Sequence, residues 1–154
     1  MCSRRLKTRA QKLILQGGLA DMVTVLFVCV ENSCRSQMAE GFAQKLGKGI
    51  LKAYSAGSRP SGTVNPMAIS VMSEEGIDIS NQGSKGFNQL PVKKFNYVIT
   101  LGCKDICPFV SAEEHIEWNI DDPKGGSVEL FRRVRDDVRS RVADLVDGLL
   151  KKDR

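Results

Sequence analysis

One short segment of the sequence combines a cysteine, an arginine and hydroxyl side chains at a spacing that suits chemistry on an anion. The segment reads Cys29-Val30-Glu31-Asn32-Ser33-Cys34-Arg35-Ser36. It has no glycine, so it is not a nucleotide-type phosphate loop; its mark is Cys-x5-Arg between a buried strand and the start of a helix. Successive backbone N–H groups in such a turn, with the positive helix end, form a concave site for a tetrahedral oxyanion. The predicted oxyanion-binding residues are Val30, Glu31, Asn32, Ser33, Cys34 and Arg35.

The side chains of this loop suggest separate roles. Arg35 can grip two oxyanion oxygens at once with a planar fork that a lysine would not reproduce. The same donors favour a thiolate, so we expect Cys29 to be an anion at neutral pH and a nucleophile. Ser36 can hydrogen-bond the Cys29 sulfur, and Asn32 can hold the turn together. The alternative is a buried strand-end cysteine beside an arginine that caps a surface helix.

A second set of reactive residues, Asp121-Asp122-Pro123, follows the last predicted strand. An oxygen that leaves a tetrahedral centre needs a proton donor, and Asp122, held by Pro123, is the predicted general acid. An ordinary Asp-Pro turn is the alternative. Within the loop, a carboxylate close to an anion site repels the anion, so we expect Glu31 to point to solvent.

Alternating strand and helix patterns position these residues. Apolar and β-branched runs predict strands at 22–29, 51–56, 95–101 and 115–120. Apolar residues at helical spacing predict helices at 37–46, 66–75 and 127–150. The alternation predicts an α/β fold, a single domain with a parallel open sheet and helices on both faces. Ligands bind at the carboxyl ends of the strands in such sheets, where Cys29, Cys103 and Asp122 fall.

Charge and cysteine content narrow the class of protein. The formal net charge is +5, but residues 1–21 hold five basic side chains against Asp21, which leaves 18 basic and 17 acidic side chains in residues 22–154. No aromatic residue is interleaved in that basic stretch, so we expect residues 1–21 to be a dispensable extension of a catalytic domain, 22–154. The odd count of five cysteines and the lack of a long apolar run predict a cytoplasmic protein with reduced thiols. We expect it to be a monomer. Neither a membrane nor a nucleic acid is an expected partner.

Further motifs extend the pattern along the chain. They are Ser36-Gln-Met-Ala-Glu-Gly41, Tyr54-Ser-Ala-Gly57, Val64-Asn-Pro66, Gly76-Ile-Asp-Ile-Ser80, Thr100-Leu101 and Phe131-Arg-Arg-Val-Arg-Asp136. Together with the loop they resemble the thiol-dependent arsenate reductases of the low-molecular-weight protein tyrosine phosphatase family, from about Val23 to the end of the last helix. The resemblance implies that family's four-stranded sheet, with Cys29 as nucleophile on arsenate, Arg35 as oxyanion clamp and Asp122 as acid.

Residues outside the loop favour a reductase over a phosphatase. Phosphatases of this fold usually have proline after the Arg-Ser of the loop and an aromatic pair after Asp-Pro, whereas this chain has Gln37 and Lys124-Gly125-Gly126. A reductase needs resolving cysteines, and Cys103 and Cys107 follow the third strand. The family resemblance implies that Cys103 attacks the Cys29 adduct and that Cys107 then carries the oxidation outward. The short spacing of this pair leaves open which cysteine resolves.

The resemblance also implies an external thiol reductant, either thioredoxin or glutaredoxin or a small thiol, and no bound cofactor. Two alternatives are a tyrosine phosphatase that needs only Cys29, Arg35 and Asp122, and a non-catalytic oxyanion-binding or redox-sensing module. Zinc at Cys103 and Cys107 would need two further ligands, so no metal site is predicted.

Some relatives bind potassium near the loop through the positions of Asn32, Glu40 and Ser55 and an acidic residue. Lys85 stands at the acidic position here, and its ammonium is expected to replace the ion.

Overall fold

The computed structural model describes residues 22–102 and 110–152. The elements are β1 (Val23–Cys29), α1 (Arg35–Leu46), β2 (Leu51–Gly57), α2 (Pro66–Ser73), a 3₁₀ helix (Phe87–Gln89), β3 (Lys94–Leu101), β4 (Ser111–Trp118) and α3 (Val128–Lys152). The four strands form one parallel sheet in the order β2-β1-β3-β4. The predicted fold class is confirmed. The predicted extension 1–21 and the predicted Cys103 and Cys107 pair lie outside the described residues.

Strand β1 lies inside the sheet and its side chains are apolar on both faces. Val25 and Phe27 pack into the larger core cluster on the helical face, while Leu26 and Val28 pack into a second cluster on the opposite face. This is the pattern of a strand in a parallel sheet that is covered on both faces. It pairs in register with β2 and β3 on its two sides, and its last residue, Cys29, is therefore delivered to the carboxyl edge of the sheet.

Among the described residues, the three α-helices lie on one face of the sheet and a short 3₁₀ helix lies on the other. The three α-helices share the larger core, where α3 contributes the valine stripe Val134, Val138, Val142 and Val146. The 3₁₀ helix covers part of the opposite face, where Phe87 packs on the second cluster. None of the helices in the described residues is both long and apolar enough to cross a membrane.

A buried arginine joins two of the helices. Arg135 of α3 donates from Nη1 to the carbonyl oxygen of Val71 at 2.9 Å and to the Glu74 carboxylate at 2.7 Å. The guanidinium thereby satisfies groups at the C-terminal end of α2, where the helix dipole is negative. This contact fixes the angle between α2 and α3 behind the sheet.

Several predicted element bounds differ from the structure, most of all those of β4. Strand β4 was expected at 115–120 but spans Ser111–Trp118, since its pairing with β3 rather than its own apolar pattern determines its length. The polar residues Glu113 and Glu114 extend this edge strand because one of its sides faces solvent. Helix α1 begins at Arg35 rather than at 37, and α2 ends at Ser73 rather than at 75.

Candidate active site

The loop between β1 and α1 turns its carbonyl oxygens away from its own centre. Four of these oxygens accept hydrogen bonds from residues outside the loop: Val30 O from Arg59 N, Glu31 O from Ser61 N, Asn32 O from Gln37 Nε2 and Ser33 O from Asn65 N. The peptides here are trans, so the N–H group that follows each carbonyl points in the opposite direction. The N–H groups of residues 31–34 therefore point into the loop, which forms the nest for an oxyanion that the sequence predicts.

Helix α1 adds a positive end to this nest. Its N-cap is Cys34, and no side chain of the described residues caps it; its first turn carries no acidic residue. The uncapped N–H groups of a helix bear a partial positive charge of roughly half a unit. The loop and the helix end therefore both attract an anion at the same place.

The predicted nucleophile lies at the floor of the loop. Cys29 is only 3% exposed, and its Sγ lies 2.8 Å from the Oγ of Ser36. Asn32 Nδ2 donates to the same Oγ at 2.8 Å. An amide nitrogen can only donate, so the Ser36 oxygen accepts from Asn32; a Cys29 thiolate has no hydrogen, so toward it the Ser36 hydroxyl must donate. This arrangement stabilises a thiolate at Cys29.

Asn32 has the conformation that makes this contact possible. Its φ is 50°, which places it in the left-handed region, and its side chain is fully buried. Asparagine tolerates this region better than most residues. The backbone N–H of Lys85 donates to its Oδ1 at 2.9 Å, which fixes the amide with Nδ2 toward Ser36.

Two glycines without an assigned role in the sequence analysis allow the close approaches around the loop. A Cβ on Gly57, at the end of β2, would lie 2.5 Å from the carbonyl oxygen of Val30. A Cβ on Gly102, which has a φ of 75°, would lie 2.7 Å from Nη1 of Arg35. Only glycine fits at either place. A glycine directly after a buried strand was the available signal.

The guanidinium of Arg35 is held between the loop and the end of β4. Arg35 is 7% exposed; its Nη1 donates to the carbonyl oxygen of Ile120 at 3.2 Å, and its Nη2 lies 3.7 Å from the carboxylate of Asp122. The Asp122 side chain is 55% exposed and accepts a hydrogen bond from the backbone of Lys124. The predicted clamp and the predicted acid therefore lie at the same rim.

The ammonium of Lys124 neutralises the Glu31 carboxylate and so reduces the repulsion between Glu31 and an anion in the loop. Lys124 Nζ lies 2.7 Å from both carboxylate oxygens of Glu31, and this hydrogen bond raises the pKa of the Lys124 ammonium above its usual range. The side chains are partly exposed, as expected for Glu31. The pair connects the loop to the segment that carries Asp122 across the mouth of the site.

The two cysteines of the loop differ in chemistry. Burial raises the pKa of the Cys34 thiol to about 11, and the nearby Asp122 and Cys29 add to that rise. Cys34 is therefore a neutral thiol at physiological pH. Of the two sulfurs, only that of Cys29 is hydrogen-bonded to Ser36, which agrees with its prediction as nucleophile.

Behind the loop, a lysine ammonium lies next to a buried carboxylate. Lys85 Nζ is 4.0 Å from Glu40, 3.5 Å from the Oγ of Ser55 and 2.9 Å from the carbonyl oxygen of Gly83. Burial raises the pKa of the Glu40 carboxyl, and Lys85 and Ser55 oppose that rise. The Lys85 ammonium therefore lies beside Glu40 and Ser55, where it was expected to replace a potassium ion.

A small depression brings most of the predicted residues together. Its volume is about 20 Å³, and it is lined by Cys29, Val30, Glu31, Ser33, Cys34, Arg35 and Asp122. Asn32 and Ser36 lie beneath it, buried in the loop. Cys103 and Cys107 belong to the segment that the structure does not describe. The arrangement can bind one small tetrahedral anion and attack it with a thiolate.

Comparison with known proteins identifies the family of this chain. Residues 24–154 match the family model of low molecular weight phosphotyrosine protein phosphatases. A glutaredoxin arsenate reductase from Synechocystis sp. is 45% identical over 128 residues, which are 81% of this chain and 97% of that protein.

Solved structures agree with this assignment. An arsenate reductase in the phosphate binding state is 44% identical with a TM-score of 0.77, over 83% of this chain and 99% of its own. A thioredoxin-dependent arsenate reductase from Corynebacterium glutamicum is 26% identical with a TM-score of 0.69, over 89% of this chain and 67% of its own. The chain therefore belongs to the low molecular weight phosphotyrosine protein phosphatase family, among members that are arsenate reductases.

Proposed function

We propose that this protein reduces arsenate to arsenite with electrons from an external thiol reductant. The observation that carries the proposal is the position of the Cys29 sulfur, which lies 2.8 Å from the Ser36 hydroxyl oxygen at the floor of an anion nest. Relatives of high identity and coverage are arsenate reductases, and one of them was solved with phosphate bound. Arsenate and phosphate share the tetrahedral shape and charge that such a nest recognises.

The first step is attack of the Cys29 thiolate on the arsenic atom. A sulfur–arsenic bond forms, an arsenic–oxygen bond breaks, and Asp122 supplies the proton with which that oxygen leaves as water. Arg35 binds the remaining oxygens and stabilises the charge that develops on them. Arsenic is still pentavalent after this step.

The second step reduces the arsenic. The thiolate of Cys103 attacks the Cys29 sulfur, a Cys29–Cys103 disulfide forms, and the electron pair of the sulfur–arsenic bond leaves with arsenic as arsenite. Cys107 then attacks Cys103 and releases the Cys29 thiolate. A disulfide of Cys103 and Cys107 results, and an external dithiol reduces it.

The reductant belongs to the thioredoxin or glutaredoxin class. One protein similar to this chain is a glutaredoxin arsenate reductase, and another is a thioredoxin-dependent arsenate reductase. We place the reaction in the cytoplasm, where these systems keep cysteines reduced. We also propose that the protein acts as a monomer. An obligate interface usually shows as a large exposed apolar patch. Among the described residues, Leu46 is the only large hydrophobic side chain that is exposed, so they present no such patch.

A coupled assay tests the proposed function. Purified protein, NADPH and either thioredoxin with its reductase or glutaredoxin with glutathione and its reductase are mixed, and arsenate is added. NADPH oxidation that requires both arsenate and the protein is expected with at least one of these systems. No arsenate-dependent oxidation with either system, or with a small dithiol, would disprove the proposal.

Replacing Arg35 with lysine is expected to lower kcat/KM for arsenate by about 10²–10³-fold, as for the loss of a transition-state hydrogen bond. A lysine keeps the charge but loses the second donor of the guanidinium fork. The control is Arg139→Lys, which makes the same exchange at a side chain that is 55% exposed. A loss of less than tenfold relative to that control would argue against the role of Arg35 as clamp.

Replacing Lys124 with methionine is expected to raise KM for arsenate several-fold, while kcat changes little. The unpaired Glu31 carboxylate then lies at the mouth of an anion site and repels the substrate. Because this repulsion is between exposed groups, it should weaken as salt is added.

The matched control is Lys48→Met, which removes the same charge at an exposed position outside the site. Adding Glu31→Gln to Lys124→Met should bring KM back toward its original value. Equal KM values for Lys124→Met and Lys48→Met would show that the ion pair does not protect the site.

A further inference from the structure

A buried glutamine beside the loop has contacts that the proposed reaction does not use. Gln37, in the first turn of α1, is fully buried. Its Nε2 lies 2.9 Å from each of three acceptors, which are the backbone oxygen and Oδ1 of Asn32 and the backbone oxygen of Gly83. A buried amide surrounded by oxygens in this way has one possible orientation, with its nitrogen toward them.

A second glutamine holds the other end of this amide. Gln82, which is half-buried, donates from Nε2 to the Oε1 of Gln37 at 2.8 Å and to its backbone oxygen at 3.0 Å. The oxygen of the Gln37 amide therefore faces a donor and its nitrogen faces acceptors. If the Gln37 amide were rotated so that its oxygen and nitrogen changed places, hydrogen bonds would be lost at both ends.

The hydrogen bonds run in one direction from this pair to the reactive sulfur. Gln82 donates to Gln37, and Gln37 donates to Asn32. Asn32 donates to Ser36, and the Ser36 hydroxyl donates to the sulfur of Cys29 when that sulfur is a thiolate. Donors and acceptors that are aligned along a chain polarise one another, so each bond strengthens the next.

We propose that Gln37 is a positioning residue that sets the reactivity of Cys29 through Asn32 and Ser36. It holds Asn32 in the left-handed conformation, and Asn32 in turn directs the Ser36 hydroxyl to the sulfur. Gln82 orients the Gln37 amide for this purpose. The proposal rests on the role of Cys29 as nucleophile, but it concerns the free enzyme and does not require arsenate.

The effect of Gln37 is expected to be partial. The backbone N–H of Lys85 also donates to Oδ1 of Asn32, so Asn32 retains one anchor when Gln37 is removed. Loss of one hydrogen bond in such a network should shift the pH midpoint of Cys29 alkylation upward by about 0.5 to 1 pH unit. We expect kcat for arsenate to fall about 3- to 10-fold, with less change in KM.

The test compares one exchange, glutamine to methionine, at three positions. Gln37→Met and Gln82→Met remove members of the chain without adding charge. Gln89→Met is the control, because Gln89 is exposed and its Oε1 accepts from the backbone of Gly86 outside the chain. Iodoacetamide alkylation of the Cys29 peptide is followed by mass spectrometry across a pH series, with no arsenate present.

A second background separates positioning from general loosening of the loop. In Ser36→Ala the last link is missing, so adding Gln37→Met should cause no further shift of the midpoint. An unchanged midpoint in Gln37→Met, a shift equal to that of Gln89→Met, or a full further shift in the Ser36→Ala background would each overturn the proposal.

If Gln37→Met does not fold, as judged by its circular dichroism, Gln82→Met decides the question. An upward shift of its midpoint relative to Gln89→Met supports the proposal, and no shift refutes it. Because alkylation does not involve arsenate or a reductant, this result is independent of whether the protein is active in the coupled assay.

Discussion

Replacing Cys29 with serine is expected to abolish arsenate-dependent NADPH oxidation, with a loss on the order of 10⁴-fold or more. A serine hydroxyl does not ionise at neutral pH in this loop. It also cannot form the disulfide whose formation expels arsenite. The measurement is the coupled assay, run with enough enzyme to detect the residual rate.

The matched control is Cys34→Ser, an exchange of the other buried sulfur in the same loop. The Cys34 thiol, whose pKa burial raises to about 11, is neutral at the pH of the assay, so its replacement should cost far less activity. Activity of Cys29→Ser with arsenate, or equal inactivity of the two variants, would refute the assignment of the nucleophile.

Replacing Cys103 with serine is expected to eliminate reduction of arsenate but to leave hydrolysis of an aryl phosphate. The two reactions share attack by Cys29 on a tetrahedral centre. In hydrolysis a water molecule resolves the adduct, whereas reduction needs a second thiol to accept the Cys29 sulfur. Rates with arsenate and with p-nitrophenyl phosphate are measured on the same preparation.

Cys2→Ser controls for the exchange of cysteine for serine, because Cys2 lies outside residues 24–154, which match the family model. Mass-spectrometric mapping of disulfides after turnover adds a direct readout: Cys107→Ser, which cannot pass the oxidation on, should accumulate a Cys29–Cys103 disulfide. If Cys103→Ser keeps its arsenate turnover while Cys107→Ser loses it, then Cys107 resolves the adduct. If both variants keep it, then the reductant resolves the Cys29 adduct directly.

The fold was predictable because its signals are local. The run that ends at Cys29 is apolar on both faces, which is the pattern of a strand in a parallel sheet covered on both sides. Helix α2 begins with Pro66 after the N-cap Asn65, whose side chain accepts from Met67 N. The length of β4 was not predictable, because the pairing partner of an edge strand, rather than its own sequence, determines where it ends.

The residues of the proposed site could be chosen from the sequence, but the contacts that hold them in place could not. Cys29, Arg35 and Ser36 stand together in the sequence, so their spacing alone indicated an anion loop. The contacts of Gln37 with Gly83 and Gln82 join segments about 45 residues apart, and no periodicity in the sequence reports such contacts. For the same reason the sequence did not indicate the pairing of Glu31 with Lys124, which are 93 residues apart in the chain.

The outward carbonyl oxygens of the loop have a consequence for how the site comes into being. Three of their four partners lie at residues 59, 61 and 65, so the nest depends on chain segments beyond the loop. Contacts between segments that are distant in sequence form late and cooperatively, since the intervening chain must first be ordered. An incompletely folded chain therefore carries the Cys29 thiol without the nest that activates it. Catalytic competence in this protein is a property of the completed fold rather than of a preformed local motif.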